Sequence, residues 1–216
     1  MKPRIKICCI SSEHEAKLAI DFGASAIGLV GKMPSGPGCI DDQNIRQIAA
    51  QVPPPIATFL LTSETDGPSI VKHHLRTATN TIQIVDTPKR GTHEYLKANL
   101  PNVKRVQVIH VLDETSIDTA ASFFDEADAL LLDSGNPNLK IKELGGTGRV
   151  HNWKVSRKIV DQSPIPVFLA GGLNPENIKN AVDTVQPFGV DVCSGVRTNG
   201  SLDPQKLEKF MAMIMK

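Results

Sequence analysis

The sequence predicts an α/β protein folded as a single (β/α)8 barrel over residues 1–216. Short apolar runs rich in β-branched residues alternate with longer amphipathic stretches along the whole chain. The alternation repeats eight times, which is the number of units that closes a parallel barrel, and no linker or change of composition interrupts it. An open, doubly wound sheet is the alternative, although that fold seldom needs eight repeats.

Each predicted strand is an apolar run with few charged residues, as expected for a parallel sheet that is buried on both faces. The strands fall at residues 5–9, 26–31, 56–61, 81–85, 106–111, 129–133, 166–170 and 189–193. A segment with helical periodicity follows every strand, and this order is typical of βα units. The helices fall at residues 13–22, 42–51, 68–77, 92–98, 114–124, 153–161, 175–185 and 204–214.

Composition narrows the classes of partner. The formal net charge is +1 with scattered basic residues, so neither nucleic acid nor an anionic membrane is expected to bind. Aromatic residues make up 4% of the chain, too few for a platform that stacks bases. No 18-residue apolar run is present, and the N-terminus enters a strand pattern without a signal-peptide region. We therefore expect a cytoplasmic protein.

The seventh and eighth strands both end in small residues that leave backbone amides accessible. Gly171 and Gly172 follow the seventh strand, and Ser194 and Gly195 follow the eighth. Asn174 can cap the next helix, with a proline at its first position. Amides at two adjacent strand-to-helix turns, together with the helix dipoles, favour a phosphate dianion. The alternative is two ordinary βα turns.

The first strand supplies a candidate base. If Lys6 and Cys8 point into the barrel, alternation places Cys9 on the other face, where it packs under the helices as a small apolar residue. A thiol at the barrel mouth, near a lysine and helix N-termini, has a lowered pKa and can remove a proton. The alternative is that Cys8 only fills the core.

Two carboxylates end otherwise apolar strands. Asp133 follows Ala-Leu-Leu-Leu, and partial burial there would raise its pKa and suit a general acid; the alternative is that it caps the following turn. Asp191 also faces inward, either towards the site or as a structural partner of Lys6. Loops 32–39 and 134–152 are long enough to be lids over a bound molecule. A base, an acid and an anion site together predict an aldose–ketose proton shift on a small phosphorylated sugar.

The residues that carry these features resemble one known family in order and over nearly the whole chain. The motifs are Lys6-Ile-Cys8, Gly28 in Ala-Ile-Gly-Leu-Val, Gln83, Leu-Leu-Leu-Asp133, Gly145-Gly146-Thr-Gly148 with Trp153, Ala-Gly171-Gly172-Leu-Asn-Pro-Glu-Asn177, and Pro187-Phe-Gly-Val-Asp191-Val-Cys-Ser194-Gly195-Val196. They resemble the phosphoribosylanthranilate isomerases, a family of (β/α)8 barrels. The resemblance implies an Amadori rearrangement of a ribosylated anthranilate in tryptophan biosynthesis, without a cofactor or a metal.

The resemblance also implies a role for each residue. Cys8 would remove the C2 proton of the sugar, and Asp133 would open the ring at its oxygen. The phosphate would bind at the amides around residues 171–172 and 194–195. Further substrate contacts would come from Lys6, Gln83, Gly146, Asp191 and Arg197.

Several positions depart from the family pattern on the side of the aglycone. Cys9 stands where the family has glycine, and Gly38 falls near the position of a family arginine that contacts the anthranilate carboxylate. The family histidine after the fourth strand is missing, because the chain reads Gln-Ile-Val-Asp86 there. Arg197 replaces a glutamate. Arg197 and Lys32 are the candidates to replace the missing arginine; the alternative is that both are solvated loop charges.

Two other functions remain open at this point. One is the same acid–base chemistry on a different phosphorylated sugar or amino sugar. The other is a ligand-binding relative without turnover, or a metal- or redox-responsive thiol site built from Cys9, Cys39 and Cys193. The four cysteines lack zinc-finger and CxxC spacing, which weakens the last possibility. The sequence does not predict an oligomeric state.

Overall fold

A computed structural model describes residues 2–215 of the chain. The barrel strands are β1 (Arg4–Ile7), β2 (Ala26–Val30), β3 (Ala57–Thr62), β4 (Thr81–Ile84), β5 (Lys104–His110), β6 (Ala129–Asp133), β7 (Val167–Leu169) and β8 (Gly189–Val192). All neighbouring pairs are parallel, and β1 pairs with both β2 and β8. This closure confirms the predicted barrel and excludes the open sheet.

The helices alternate with the strands as the sequence predicts. They are α1 (Glu13–Asp21), α2 (Asp42–Gln51), α3 (Gly67–Thr77), α4 (Thr92–Asn99), α5 (Ser116–Ala121), α6 (Trp153–Gln162), α7 (Ile178–Val185) and α8 (Pro204–Met215). Ser12, Asp41 and Asp66 each accept a hydrogen bond from an amide in the first turn of the helix that follows, which fixes where α1, α2 and α3 begin. None of the helices in residues 2–215 is long and apolar enough to cross a membrane.

The core has two layers, because successive strand residues face opposite sides. Outward-facing residues such as Ile27 and Leu130 pack against the helices. The barrel interior contains Phe59, Leu131 and Phe168, among other apolar residues. The rings of Phe59 and Phe168 contact each other edge to face, with centroids 6.0 Å apart. This packed interior supports the site at the carboxyl ends of the strands.

The chain departs from the predicted elements around the last two strands. Helix α7 begins at Ile178 rather than at residue 175. Asn174 nevertheless caps the turn before it, since its Oδ1 accepts from the amides of Glu176 and Asn177, each at 3.0 Å. After β8 comes a 3₁₀ turn at Ser194–Val196, followed by a two-stranded ribbon of β9 (Arg197–Thr198) and β10 (Ser201–Leu202). The sequence pattern did not predict this ribbon.

Candidate active site

A cavity opens at the carboxyl ends of the barrel strands. Gln83, Asp133 and Asp191 line it from β4, β6 and β8, and Cys8 lines it directly after β1. Loops 32–39 and 134–152 cover it and touch each other, because the Ser35 hydroxyl donates to the carbonyl of Lys142 at 2.6 Å. The barrel therefore places most of the predicted site residues around one cavity.

The thiol of Cys8 and the ammonium of Lys6 lie side by side above the barrel interior. Gly28 on β2 makes room for both, since a Cβ atom there would lie 2.8 Å from Cys8 Sγ and 2.9 Å from Lys6 Nζ. Lys6 is fully buried, and its Nζ lies 2.8 Å from Asp191 Oδ2 and 5.3 Å from the ring centre of Phe59. Lys6 is not among the residues that line the cavity, and its ammonium lies beside Cys8 instead. Its contact with substrate stays a prediction.

The surroundings of Cys8 favour its thiolate. A hydrogen bond from Cys9 is the main reason that the pKa of Cys8 is lowered, and the charge of Lys6 lowers it further against the opposing effect of burial. The pKa of Lys6 is raised although burial opposes its charge, because the Asp191 carboxylate and Cys8 stabilise the ammonium. A thiolate beside a fixed cation is a competent base.

Asp133 ends β6 and lines the same cavity as Cys8. Burial raises the pKa of its carboxyl group. The Ser134 amide donates to Oδ1 at 2.7 Å, and Oδ2 lies beside Gly145, where a Cβ atom would be 2.8 Å away. A protonated carboxyl group that faces a cavity can donate a proton to a bound molecule.

Two polar atoms in the site are buried without a hydrogen-bond partner among the described residues, Gln83 Oε1 and Asp191 Oδ1. Both residues line the cavity. Burial raises the pKa of Asp191, while Lys6 opposes that shift. Buried polar atoms normally have partners, so these two are suited to accept hydrogen bonds from substrate hydroxyl groups.

The predicted anion site lies at the β7 and β8 ends. Gly171 and Gly172 have φ values of 82° and 63°, which glycine adopts without strain, and both line the cavity with Ser194. Gly195 lies behind Ser194, where a Cβ atom would be 2.0 Å from the carbonyl oxygen of Leu173. Only glycine fits this turn, which keeps the two strand ends close together.

The structure corrects the position of Cys9. The sequence predicts it under the helices, but β1 ends at Ile7, and the strand alternation does not extend to Cys9. The φ of Cys9 is 61°, a conformation that favours glycine. Its side chain lines the cavity, and its Sγ lies 3.7 Å from the carbonyl oxygen of Pro37. This conformation accounts for the glycine that the family motif has at the corresponding position.

The two basic residues considered for binding a carboxylate do not line the cavity. Arg197 is buried, and its guanidinium donates to both carboxylate oxygens of Glu15 and to the carbonyls of Cys8 and Cys9. These bonds give Arg197 a structural role at the end of β1, while its contact with substrate stays a prediction. Lys32 is exposed and faces a surface depression with Asp41 and Glu64.

Loop 134–152 contributes polar groups that sequence reasoning missed. Thr147 lines the cavity, and its hydroxyl lies 2.8 Å from that of Ser134. Gly146, a predicted contact, also lines it and packs on Pro37 of the other loop, where a Cβ atom would be 2.5 Å from Cδ. The glycine-rich motif in this loop was the only sequence signal for these contacts.

Only two of the three cysteines considered for a metal- or redox-responsive thiol site, Cys9 and Cys193, lie together in the structure. Cys9 and Cys193 are in contact, with Sγ atoms 2.7 Å apart, whereas Cys39 is exposed. Within residues 2–215, no group of three His, Cys, Asp or Glu side chains is arranged to hold a metal ion.

The fold and the cavity define a (β/α)8 barrel with a buried thiol, a buried carboxyl group and two strand-to-helix turns of small residues around one cavity at its carboxyl face. The N-(5'-phosphoribosyl)anthranilate isomerase family matches residues 5–213. Isomerase 2 of this name from Methanosarcina mazei is 35% identical over 210 residues, covering 96% of this chain and 92% of that protein. The Halobacterium salinarum isomerase is 33% identical over 97% of this chain and 94% of its own.

Solved structures agree with these relatives. The isomerase of Pyrococcus furiosus has a TM-score of 0.81 and 27% identity, with 99% of this chain and 98% of that one covered. A second isomerase, solved with reduced 1-(o-carboxyphenylamino)-1-deoxyribulose 5-phosphate, has a TM-score of 0.80 at 24% identity over 99% and 98% of the two chains, and shows the shared fold. The chain belongs to the N-(5'-phosphoribosyl)anthranilate isomerase family, whose members are isomerases of tryptophan biosynthesis.

Proposed function

We propose that this protein converts phosphoribosylanthranilate to the corresponding 1-amino-1-deoxyribulose 5-phosphate, with Cys8 as the base and Asp133 as the acid. The observation that supports these roles is that a thiol with a lowered pKa and a carboxyl with a raised pKa line one cavity. The rearrangement needs one proton delivered and another removed, so the two opposite shifts match the two steps.

The acid acts first. Asp133 donates its proton to the ring oxygen of the ribose, the bond between that oxygen and C1 breaks, and the nitrogen lone pair forms an iminium ion with C1. The Ser134 amide, which donates to Oδ1 at 2.7 Å, then stabilises the carboxylate that remains. Because its pKa is raised, the Asp133 carboxyl group holds the proton until it is donated, and the hydrogen bond from the Ser134 amide lowers the cost of forming the carboxylate.

The base acts second. The Cys8 thiolate removes the proton from C2, and the electron pair of that C–H bond forms an enolamine that tautomerises to the ketone. Lys6 keeps the thiolate in its reactive form. Gln83 and Asp191 are placed to accept hydrogen bonds from the sugar hydroxyls.

The remaining parts of the substrate occupy the rest of the cavity. The phosphate is bound by the amides around Gly171, Gly172 and Ser194, with Gly195 shaping the turn. The aromatic ring packs against the apolar side chains of Met33, Leu61, Val85 and Leu144. Within residues 2–215, no lysine or arginine is among the side chains that line this cavity.

The ligand of one structural relative supports the class of substrate that we propose. That protein binds a reduced, phosphorylated analogue of the rearranged product, which carries the same carboxyphenylamino group. A small phosphorylated sugar derivative is thus the partner that we assign to this chain. As an enzyme of tryptophan synthesis it would act in the cytoplasm.

The test is turnover of phosphoribosylanthranilate by the purified protein, with the product separated by chromatography. We expect Cys8→Ser to lower kcat by about 10²- to 10⁴-fold, the usual contribution of a general base. The matched control is Cys39→Ser, which removes an exposed thiol. Full activity of Cys8→Ser would exclude the thiol as base, and failure to rescue a tryptophan auxotroph would argue against the substrate.

A further inference from the structure

Cys9 and Cys193 form a thiol pair that the proposed chemistry does not use as acid or base. Cys9 follows β1 and Cys193 follows β8, so the pair spans the seam where the barrel closes. The Cys193 thiol donates to Cys9 Sγ, and the two sulfur atoms lie 2.7 Å apart. Both are free thiols, and both line the cavity.

We propose that Cys9 and Cys193 form a reversible disulfide at the mouth of the cavity and that this disulfide slows turnover. A disulfide bond is about 2.05 Å long, so the sulfur atoms need to approach by less than about 1 Å. The two residues are 184 positions apart in the chain. Only the expected effect on turnover rests on the proposed function; formation of the bond does not.

The structure also indicates which thiol reacts first. Cys193 is partly exposed, whereas Cys9 is buried, so an oxidant reaches Cys193 more easily. Hydrogen bonds with Cys193 and Cys8 raise the pKa of Cys9, which therefore stays protonated.

The oxidant is a peroxide, and the two steps balance. The Cys193 thiolate attacks one peroxide oxygen, the O–O bond breaks, and with one proton the products are a sulfenic acid and water. The sulfur of Cys9 then attacks the sulfenic sulfur and loses its proton to the departing hydroxide, which leaves as water. Two thiols are oxidised and one peroxide is reduced, and a dithiol reductant reverses the change.

The bond would disturb the catalytic groups because of its neighbours on both sides. Cys9 directly follows the proposed base, Cys8, and also contacts Gly38 of the covering loop, where a Cβ atom would be 2.5 Å from Cys9 Cβ. Cys193 directly precedes Ser194 of the anion site. Because a displacement of about 1 Å can cost 10²-fold in rate, we expect oxidised enzyme to turn over about 10- to 100-fold more slowly.

The experiment treats purified protein with equimolar hydrogen peroxide and measures the intact mass and the disulfide-linked peptides. We expect the loss of two hydrogen atoms and a Cys9–Cys193 link in the wild type, in Cys39→Ser and in Cys8→Ser, but not in Cys193→Ser. The Cys8→Ser variant shows that the link does not involve the catalytic thiol. Absence of the link in the wild type, or its persistence in Cys193→Ser, would overturn the proposal.

Turnover is measured on the same samples. We expect it to fall on oxidation and to return with dithiothreitol in the wild type and in Cys39→Ser, while Cys193→Ser shows no such reversible fall. A complete Cys9–Cys193 link with unchanged turnover would overturn the regulatory part. Protein that forms the link but has no turnover before oxidation would instead contradict the proposed function, so the two failures are distinguishable.

Discussion

Lys6 and Asp191 pair across the seam between β1 and β8, with Nζ 2.8 Å from Oδ2 and both side chains buried. They are also register partners in the parallel pairing of these strands. A buried ion pair of this kind contributes little net stability, but loss of one partner leaves an uncompensated charge in the interior. The pair therefore keeps a cation next to Cys8 at a tolerable cost in folding free energy.

The roles of Lys6 in folding and in activity can be separated by a double substitution. We expect Lys6→Met to lower the free energy of unfolding by about 3–5 kcal/mol, because Asp191 loses its partner. Adding Asp191→Leu should restore most of that stability, since an apolar pair replaces the ion pair. Turnover should stay low in both proteins, because the thiolate has lost its cation and the double variant also lacks the Asp191 oxygen that is placed to accept from a sugar hydroxyl. Urea denaturation and kcat are the measurements, and recovery of kcat in the double variant would contradict the electrostatic role.

Two substitutions at Cys9 measure the strain of its backbone. Cys9→Ala and Cys9→Gly both remove the thiol, but only glycine relieves the cost of a φ of 61°. We expect the glycine variant to be more stable than the alanine variant by about 1–2 kcal/mol, the cost of a left-handed residue with a Cβ atom. This is the reverse of the usual order, in which the alanine variant is more stable than the glycine variant. Equal urea midpoints would show that the position is unstrained.

The Cys9→Gly variant also tests the hydrogen bond to the base. That bond is the main reason for the lowered pKa of Cys8, so its removal should raise the pKa. The thiolate is the active form, and a raised pKa means less thiolate at any pH below it. The acidic limb of the profile of kcat against pH should therefore move to higher pH, and activity should recover as the pH rises. An unshifted limb would show that Cys9 does not influence Cys8.

The sequence was sufficient for the barrel and for most of the site because both depend on local patterns. Strand and helix periodicity gives the order of elements, and the carboxyl ends of parallel strands converge on one face. Cys8, Asp133 and the glycine turns follow from that rule alone. Their surroundings confirm the placement, although their roles in catalysis stay predictions.

What the sequence could not supply depends on contacts between distant residues. Arg197 is bound by Glu15, 182 positions earlier, and no local pattern signals that pairing. The sequence does not predict the conformation of Cys9, because the predicted first strand extends to Cys9 whereas β1 ends at Ile7. Side chains alternate between the two faces only within the strand. Thr147 was missed because the path of a long loop is set by its contacts rather than by its periodicity.

Replacing Asp133 with asparagine should lower activity without lowering stability at pH 7. Asp133→Asn cannot donate a proton to the ring oxygen, so we expect kcat to fall by about 10²- to 10⁴-fold. Because burial raises the pKa of this carboxyl, its ionisation near neutral pH costs folding free energy, and the asparagine variant should be at least as stable as the wild type at pH 7. That advantage should vanish below the ordinary pKa of 3.8. A large loss of stability at pH 7 would indicate a structural carboxylate.

The ion pair between Glu15 and Arg197 should make the fold sensitive to acid. Burial tends to raise the pKa of Glu15, but hydrogen bonds from Arg197 and from the amides of Leu202 and Ser11 lower it overall. A lowered pKa in the folded state gives stability that is present above the ordinary value of 4.5 and is lost as the pH falls through the folded value.

Glu15→Gln tests that stability directly. The substitution leaves a buried guanidinium without its carboxylate, so we expect the free energy of unfolding at pH 7 to fall by about 3–5 kcal/mol. Below pH 4.5, the wild type should lose stability faster than the variant, because only the wild type has the carboxylate to protonate. Asp21→Asn, which breaks an exposed ion pair with Lys17, is the control and should have a much smaller effect. Parallel urea titrations at both pH values measure these differences in stability. Because Arg197 also donates to the carbonyls of Cys8 and Cys9, turnover is measured as well: a loss of turnover that exceeds the loss of folded protein would extend the role of Arg197 to positioning the base.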